Sequence, residues 1–89
     1  MNSKVDPAFW KAFNQLPRQA QKLIKKDFRL WQDNPFHPSL HYKRVHSRLP
    51  AWSVRCGLDY RVVGIRDADT MYWFFLGTHV EYDRLLKTL

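Results

Sequence analysis

The stretch Trp52-Ser53-Val54-Arg55-Cys56-Gly57-Leu58-Asp59-Tyr60-Arg61-Val62-Val63 decides the fold. Apolar and polar side chains alternate on both sides of Gly57-Leu58-Asp59, the period of a strand with two unlike faces. A three-residue loop at Gly57–Asp59 sets Val54 opposite Val62 and Arg55 opposite Arg61, so both valines face one side and both arginines the other. A two-residue loop would pair Cys56 with Arg61 and turn one arginine toward the core, so the hydrophobic pattern selects the longer loop. Downstream, Met71 to Leu76 is apolar at every position, as a strand covered on both faces requires. Residues from about 41 to 77 therefore read as three or four antiparallel strands.

Upstream the period lengthens. Asp6-Pro7 is an N-cap followed by proline at the first helical position, and Phe9, Trp10 and Phe13 follow at helical spacing. Pro17 opens a second helix over residues 17–33, where Ala20, Leu23, Ile24, Phe28 and Trp31 form an apolar stripe among lysines and arginines. The Trp and Phe of both helices are assigned to the core. Residues of about 6–33 thus form a helical hairpin, ended by the turn Asn34-Pro35-Phe36-His37-Pro38. At the other end, Thr78-His79-Val80-Glu81 is a capping box that opens a short helix over about 79–88. The expected fold is a single α+β domain spanning residues 1–89, with the helical hairpin on one face of a small antiparallel sheet, the other face open, and a short C-terminal helix.

Eighty-nine residues with 45% hydrophobic and 16% aromatic content support one core and exclude a disordered chain. The net charge of +7 points to a polyanionic or acidic partner rather than a neutral metabolite. It is concentrated in residues 35–66, which carry six cations against one anion. The longest apolar run is six residues, too short for a membrane span, and residues 1–7 are too polar for a signal peptide, so the expected location is the cytoplasm. Cys56 has no partner for an internal disulfide and reads as a small buried hydrophobe.

Three groups of side chains can carry chemistry. Ser53, Arg55 and Arg61 share the open sheet face, and the turn into the last helix brings His79 to the end of the same sheet. Two guanidinium forks beside an imidazole make a phosphate site with a titratable group; the plainer reading is two solvated strand arginines and a capping histidine. His41, Lys43, Arg44, His46 and Arg48, interleaved with Tyr42 and Trp52, form a basic run suited to RNA phosphates, or a merely solvated surface. His37, His41, His46 and Cys56 could be read as metal ligands, but no Cys-x-x-Cys or His-Glu-x-x-His spacing is present, and no metal or other cofactor is assigned.

The order of Leu16-Pro17, Asn34-Pro35-Phe36-His37-Pro38-Ser39-Leu40, Trp52-Ser53-Val54-Arg55, Tyr60-Arg61-Val62-Val63 and Gly77-Thr78-His79-Val80-Glu81-Tyr82 resembles the RelE/ParE superfamily of bacterial type II toxin–antitoxin toxins over nearly the whole chain. The resemblance implies a metal-independent endoribonuclease of the RelE-like branch, which cleaves messenger RNA on the ribosome through attack by the 2′-hydroxyl and is silenced by a cognate acidic antitoxin. It implies catalytic roles for Arg55 and Arg61, for His79 as the proton-transfer group, and for Tyr82 as an aromatic that stacks on a base or assists proton transfer. Two alternatives stay open: a ParE-like toxin that inhibits DNA gyrase by binding, and an inactive module that binds only an antitoxin or RNA. The sequence departs from the family in two places. Residues 1–5 are nearly all polar, so the family's first edge strand is expected to be missing or frayed, and Ser53 stands where some relatives are basic.

Overall fold

The structure is a computed structural model that describes all of residues 1–89. Its elements run β1 (Asn2–Val5), α1 (Pro7–Asn14), α2 (Arg18–Asp33), a 3-10 turn (Pro38–Leu40), β2 (Lys43–Arg44), β3 (Ala51–Cys56), β4 (Tyr60–Asp67), β5 (Thr70–Thr78) and α3 (His79–Thr88). The strands form one sheet in the order β1-β5-β4-β3-β2. The β3–β4 hairpin has the expected register, with Val54 opposite Val62 and Arg55 opposite Arg61. Gly57 opens its loop with φ +66°, a left-handed conformation that costs glycine nothing. A Cβ there would also lie 2.7 Å from the Leu23 Cδ2 atom of α2.

The edge strand expected to be missing is present. β1 pairs in parallel with β5, from Asn2 opposite Thr70 to Val5 opposite Trp73, and makes this a five-stranded sheet with one parallel edge. Parallel pairing here needs little apolar surface, because β5 supplies the backbone partners. Ser3 and Val5 point inward; the Ser3 hydroxyl accepts from the Trp73 indole N–H at 3.2 Å, and Val5 packs on the core.

One face of the sheet buries Val54, Cys56, Val62, Met71, Trp73 and Leu76 against Phe9, Phe13, Ile24 and Trp31 of the two helices. Trp10 departs from the expected core: it is 47% exposed, at the mouth of an apolar cavity of about 170 Å³ between the helices and the sheet. Lys25 and Arg29 are the cationic residues on that cavity's wall. The second face is not open. α3 crosses it, and Ala51, Val63 and Tyr82 form a second cluster with Phe74, Phe75, Leu85 and Leu86. A bulge makes this double burial possible. Val63 pairs with Phe75 and Gly64 with Trp73, so Phe74 is an extra residue that shifts the strand's alternation. Trp73 and Leu76 therefore face the helical hairpin, while Phe74 and Phe75 face α3.

Asp27, on α2, is a carboxylate within this interior, and burial raises its pKa above the ordinary value. It neighbours the buried Cys56, whose thiol is pushed up to about 12, first by burial and then by the Asp27 charge. Cys56 is thus the buried hydrophobe that its strand position implies. No helix is long and apolar enough to cross a membrane.

Candidate functional site

The β3–β4 loop and the start of α3 meet at one end of the sheet, on the face that α3 crosses. The capping box fixes the turn: the Thr78 hydroxyl accepts from the Glu81 N–H at 3.2 Å, and the Glu81 carboxylate accepts from the Thr78 N–H at 2.9 Å. That second bond holds the Glu81 carboxyl below its usual range. The His79 N–H donates to the Asp59 carbonyl at 2.8 Å, which ties the helix start to the hairpin loop. His79 therefore stands on backbone held at both ends.

Arg61 lies on the neighbouring strand, only 9% exposed. Its Nη1 donates to the carbonyls of Tyr60 at 2.8 Å, Leu58 at 3.4 Å and Gly57 at 3.5 Å, and its Nη2 donates to His79 Nδ1 at 3.1 Å. On the other side of the ring, His79 Nε2 lies 3.2 Å from Asp83 Oδ2. The imidazole is thus gripped between a guanidinium and a carboxylate while remaining about half exposed. Arg55, directly across the ladder from Arg61, donates through Nε to the Gly57 carbonyl at 3.1 Å and keeps both terminal nitrogens free of protein partners. Lys43 is paired with Ser53 on the adjoining strand and so shares this face of the sheet with Arg55 and Arg61.

The structure brings together three of the four residues assigned to catalysis: Arg55, Arg61 and His79. Tyr82 is placed differently. Its ring is buried with the centroid 6.5 Å from that of His79, and its hydroxyl donates to Ser53 Oγ at 3.3 Å, so the ring is core and has no open face for a base. The basic run also divides. His41, Lys43, Arg44 and Arg48 are exposed, although Arg44 spends Nε on the His46 carbonyl and Nη2 on the Arg48 carbonyl. His46 has both ring nitrogens engaged: Nδ1 accepts from the N–H groups of Arg48 and Leu49, and Nε2 lies 3.0 Å from the Leu89 carbonyl. It pins the β2–β3 connection to the end of α3 and has no nitrogen left for phosphate. No three His, Cys, Asp or Glu side chains converge at metal-binding distance.

Asp83 is the residue that sequence reasoning missed. Its signal was present in the spacing: positions i and i+4 of a helix share a face, so an acid four residues after a helix-opening histidine reaches its ring. The role of the hairpin loop's carbonyls in seating Arg61 carried no side-chain signal at all.

Comparison with known proteins agrees with this architecture. The family model described as the ParE-like toxin domain matches residues 15–84. The fold is similar to that of a RelB-RelE antitoxin-toxin complex from Methanococcus jannaschii, with a TM-score of 0.71 and 20% identity over 90% of this chain and 95% of that one. It is also similar to the isolated RelE toxin of E. coli (TM-score 0.66, 13% identity, 99% and 98% of the two chains). The YoeB dimer from Staphylococcus aureus gives a TM-score of 0.68 at 17% identity, over 89% and 97%. No curated protein matches the chain in sequence.

Proposed function

Because the chain belongs to the family of ParE-like toxin domains, we propose that it is the toxin of a toxin–antitoxin pair, acts in the cytoplasm, and cleaves messenger RNA on the ribosome without a metal ion. The observation that carries this reading is the half-exposed His79 imidazole, held by Arg61 and Asp83, with Arg55 across the ladder from Arg61 and its terminal nitrogens free. A phosphate bound by Arg55 next to that ring has what transesterification requires: a fork of donors for the non-bridging oxygens and a group that moves a proton. The ribose 2′-hydroxyl attacks its neighbouring phosphate, leaving a 2′,3′-cyclic phosphate and a free 5′-hydroxyl. The nucleophile belongs to the substrate, so the protein's work is to position, neutralise charge and transfer protons.

Within this reading Arg61, consumed by three carbonyls and the His79 ring, orients the site more than it binds phosphate, and Arg55 is the principal phosphate ligand. Lys43 and Arg48 neutralise the flanking RNA, and His41 is an exposed hydrogen-bonding contact beside them. Tyr82 and His46 take no part in contact with RNA. The partner is an acidic antitoxin, in keeping with the +7 charge and with relatives whose structures are antitoxin complexes. The apolar cavity with Lys25 and Arg29 on its wall suits an apolar side chain flanked by carboxylates.

The test is cleavage of a messenger on purified ribosomes by wild type and by His79→Ala. Positioned proton transfer contributes roughly 10²–10⁴-fold, so the variant loses cleavage by that order while ribosome binding persists. If wild type leaves every message intact, and cells expressing either protein stop growing alike, the nuclease reading is wrong and inhibition of gyrase by binding replaces it.

A further inference from the structure

We propose that Asp83 is the positioning residue of this site: together with Arg61 it fixes His79 as the Nε2–H tautomer and makes Nδ1 the nitrogen that takes up the substrate's proton. The inference rests on the ribonuclease reading for the identity of that proton, and on the structure for the rest.

The two partners of the imidazole are opposite in kind. A guanidinium has only donors, so the 3.1 Å contact from Arg61 Nη2 requires a lone pair on Nδ1. An ionised carboxylate has only acceptors, so the 3.2 Å contact with Asp83 Oδ2 requires a hydrogen on Nε2. The two contacts favour the same tautomer, and neither suffices alone, because the Arg61 end can pivot off the ring and the exposed Asp83 pair is shared with water. Both partners are held within reach of the ring: Arg61 is anchored through Nη1 by three carbonyls, which leaves Nη2 as the end that can pivot, and Asp83 is one helical turn from His79 on a helix whose start is capped and tied to Asp59.

The arrangement has the logic of a serine-hydrolase triad, where a carboxylate on one ring nitrogen orients the ring and stabilises the imidazolium formed when the other nitrogen takes a proton. Here the proton-accepting side is the side of Arg61 and, across the ladder, of Arg55, where a phosphate is drawn. The carboxylate, which repels phosphate, is kept on the far nitrogen. Arg61 Nη2 masks Nδ1 in the empty site. Its other hydrogen has no protein acceptor, so an arriving phosphate oxygen can engage that nitrogen and draw it off the ring. The exposed Nδ1 lone pair then accepts the 2′-hydroxyl proton as the 2′-oxygen bonds to phosphorus. The bond from phosphorus to the 5′-oxygen breaks with its electron pair on that oxygen, which takes a proton from water, and the imidazolium returns its Nδ1 proton to the hydroxide so formed.

The experiment reads the ring directly. In ¹⁵N-labelled protein, ring nitrogen–proton correlations report which nitrogen of His79 carries hydrogen. Wild type is expected to show Nε2–H, Asp83→Ala a mixture of tautomers, and Asp83→Glu a partial return. With ribosomes, Asp83→Ala is expected to lower kcat about 10- to 100-fold at unchanged KM, less than the loss from His79→Ala, because water shares an exposed pair. Asp83 is exposed, so urea midpoints should match wild type and separate the effect from unfolding. A tautomer balance identical in wild type and Asp83→Ala, or a kcat unchanged by that substitution, overturns the proposal. A tautomer that depends on Asp83 in a protein that cuts no RNA upholds the positioning role and overturns the ribonuclease reading alone.

Discussion

Gly57→Ala tests the joint between the hairpin loop and the helices. Two costs are visible in the structure. An L-residue at φ +66° pays about 1–2 kcal/mol for the left-handed conformation. The new Cβ also lies 2.7 Å from Leu23 Cδ2, the end of a half-buried side chain that must turn aside, at a cost of about 0.5–1.5 kcal/mol for the strained rotamer. Against these, alanine restricts the unfolded chain and returns about 0.4–1 kcal/mol. The expected net destabilisation is about 1–2.5 kcal/mol, which for a domain of this size lowers Tm by about 4–20 °C. Gly57→Asn separates the terms, since asparagine tolerates the left-handed region but still meets Leu23. Urea denaturation followed by tryptophan fluorescence gives all three stabilities. If Gly57→Ala unfolds within 0.3 kcal/mol of wild type, taken here as about the resolution of additive comparisons, then neither the conformation nor the contact constrains the loop as argued.

Four further outcomes are expected. Tyr82→Phe should cost about 0.5–1.5 kcal/mol in chemical denaturation through the lost Ser53 bond, yet leave cleavage on ribosomes unchanged; a cleavage defect in a stable variant would return Tyr82 to the reaction. Asp27 has a folded pKa raised above its unfolded one, so its contribution to stability is present at low pH and is lost as pH rises through the folded value. Asp27→Asn should remove that dependence and unfold at higher urea than wild type at pH 7, as denaturation at pH 4 and pH 7 would show. The Cys56 thiol, pushed up to about 12 and buried, should resist a thiol reagent at pH 8 until the protein unfolds, so fast labelling of native protein would contradict its placement. Lys43→Ala should weaken binding to single-stranded RNA and make the log–log salt slope shallower by about 0.7, measured by fluorescence titration; an unchanged slope removes Lys43 from the interface.

The hairpin register was legible because a one-residue slip would have buried an arginine, and the capping box because Thr78 and Glu81 act over three residues of contiguous chain. What escaped was set by contacts distant in sequence. Residues 2–5, polar except for Val5, carry too little apolar pattern to read as a strand, and only the free edge of β5 makes them one. The apolar run 71–76 showed burial on both faces but not the bulge at Phe74, which depends on how β4 and β5 must offset to serve two helical layers. Tyr82 and Asp83 illustrate the limit for the site. Both lie near His79 on a helical wheel, and only the position of the sheet beneath α3 decides that the tyrosine is buried and the acid is left beside the ring.

The pairing of β1 with β5 also bears on how the protein comes into being. Residues 2–5 find their partners at residues 70–73, so the first strand of the sheet to be made waits, unpaired, for the last. Contacts so far apart in sequence are slow to close. His79 and Asp83 follow β5 in the chain, so no nascent chain holds a complete site before its whole sheet has been synthesised. On a nascent chain the Arg61–His79–Asp83 cluster cannot assemble until β5 and the start of α3 have followed β4, and residues 2–5 are, for that interval, open to capture by whatever else can offer them a strand edge.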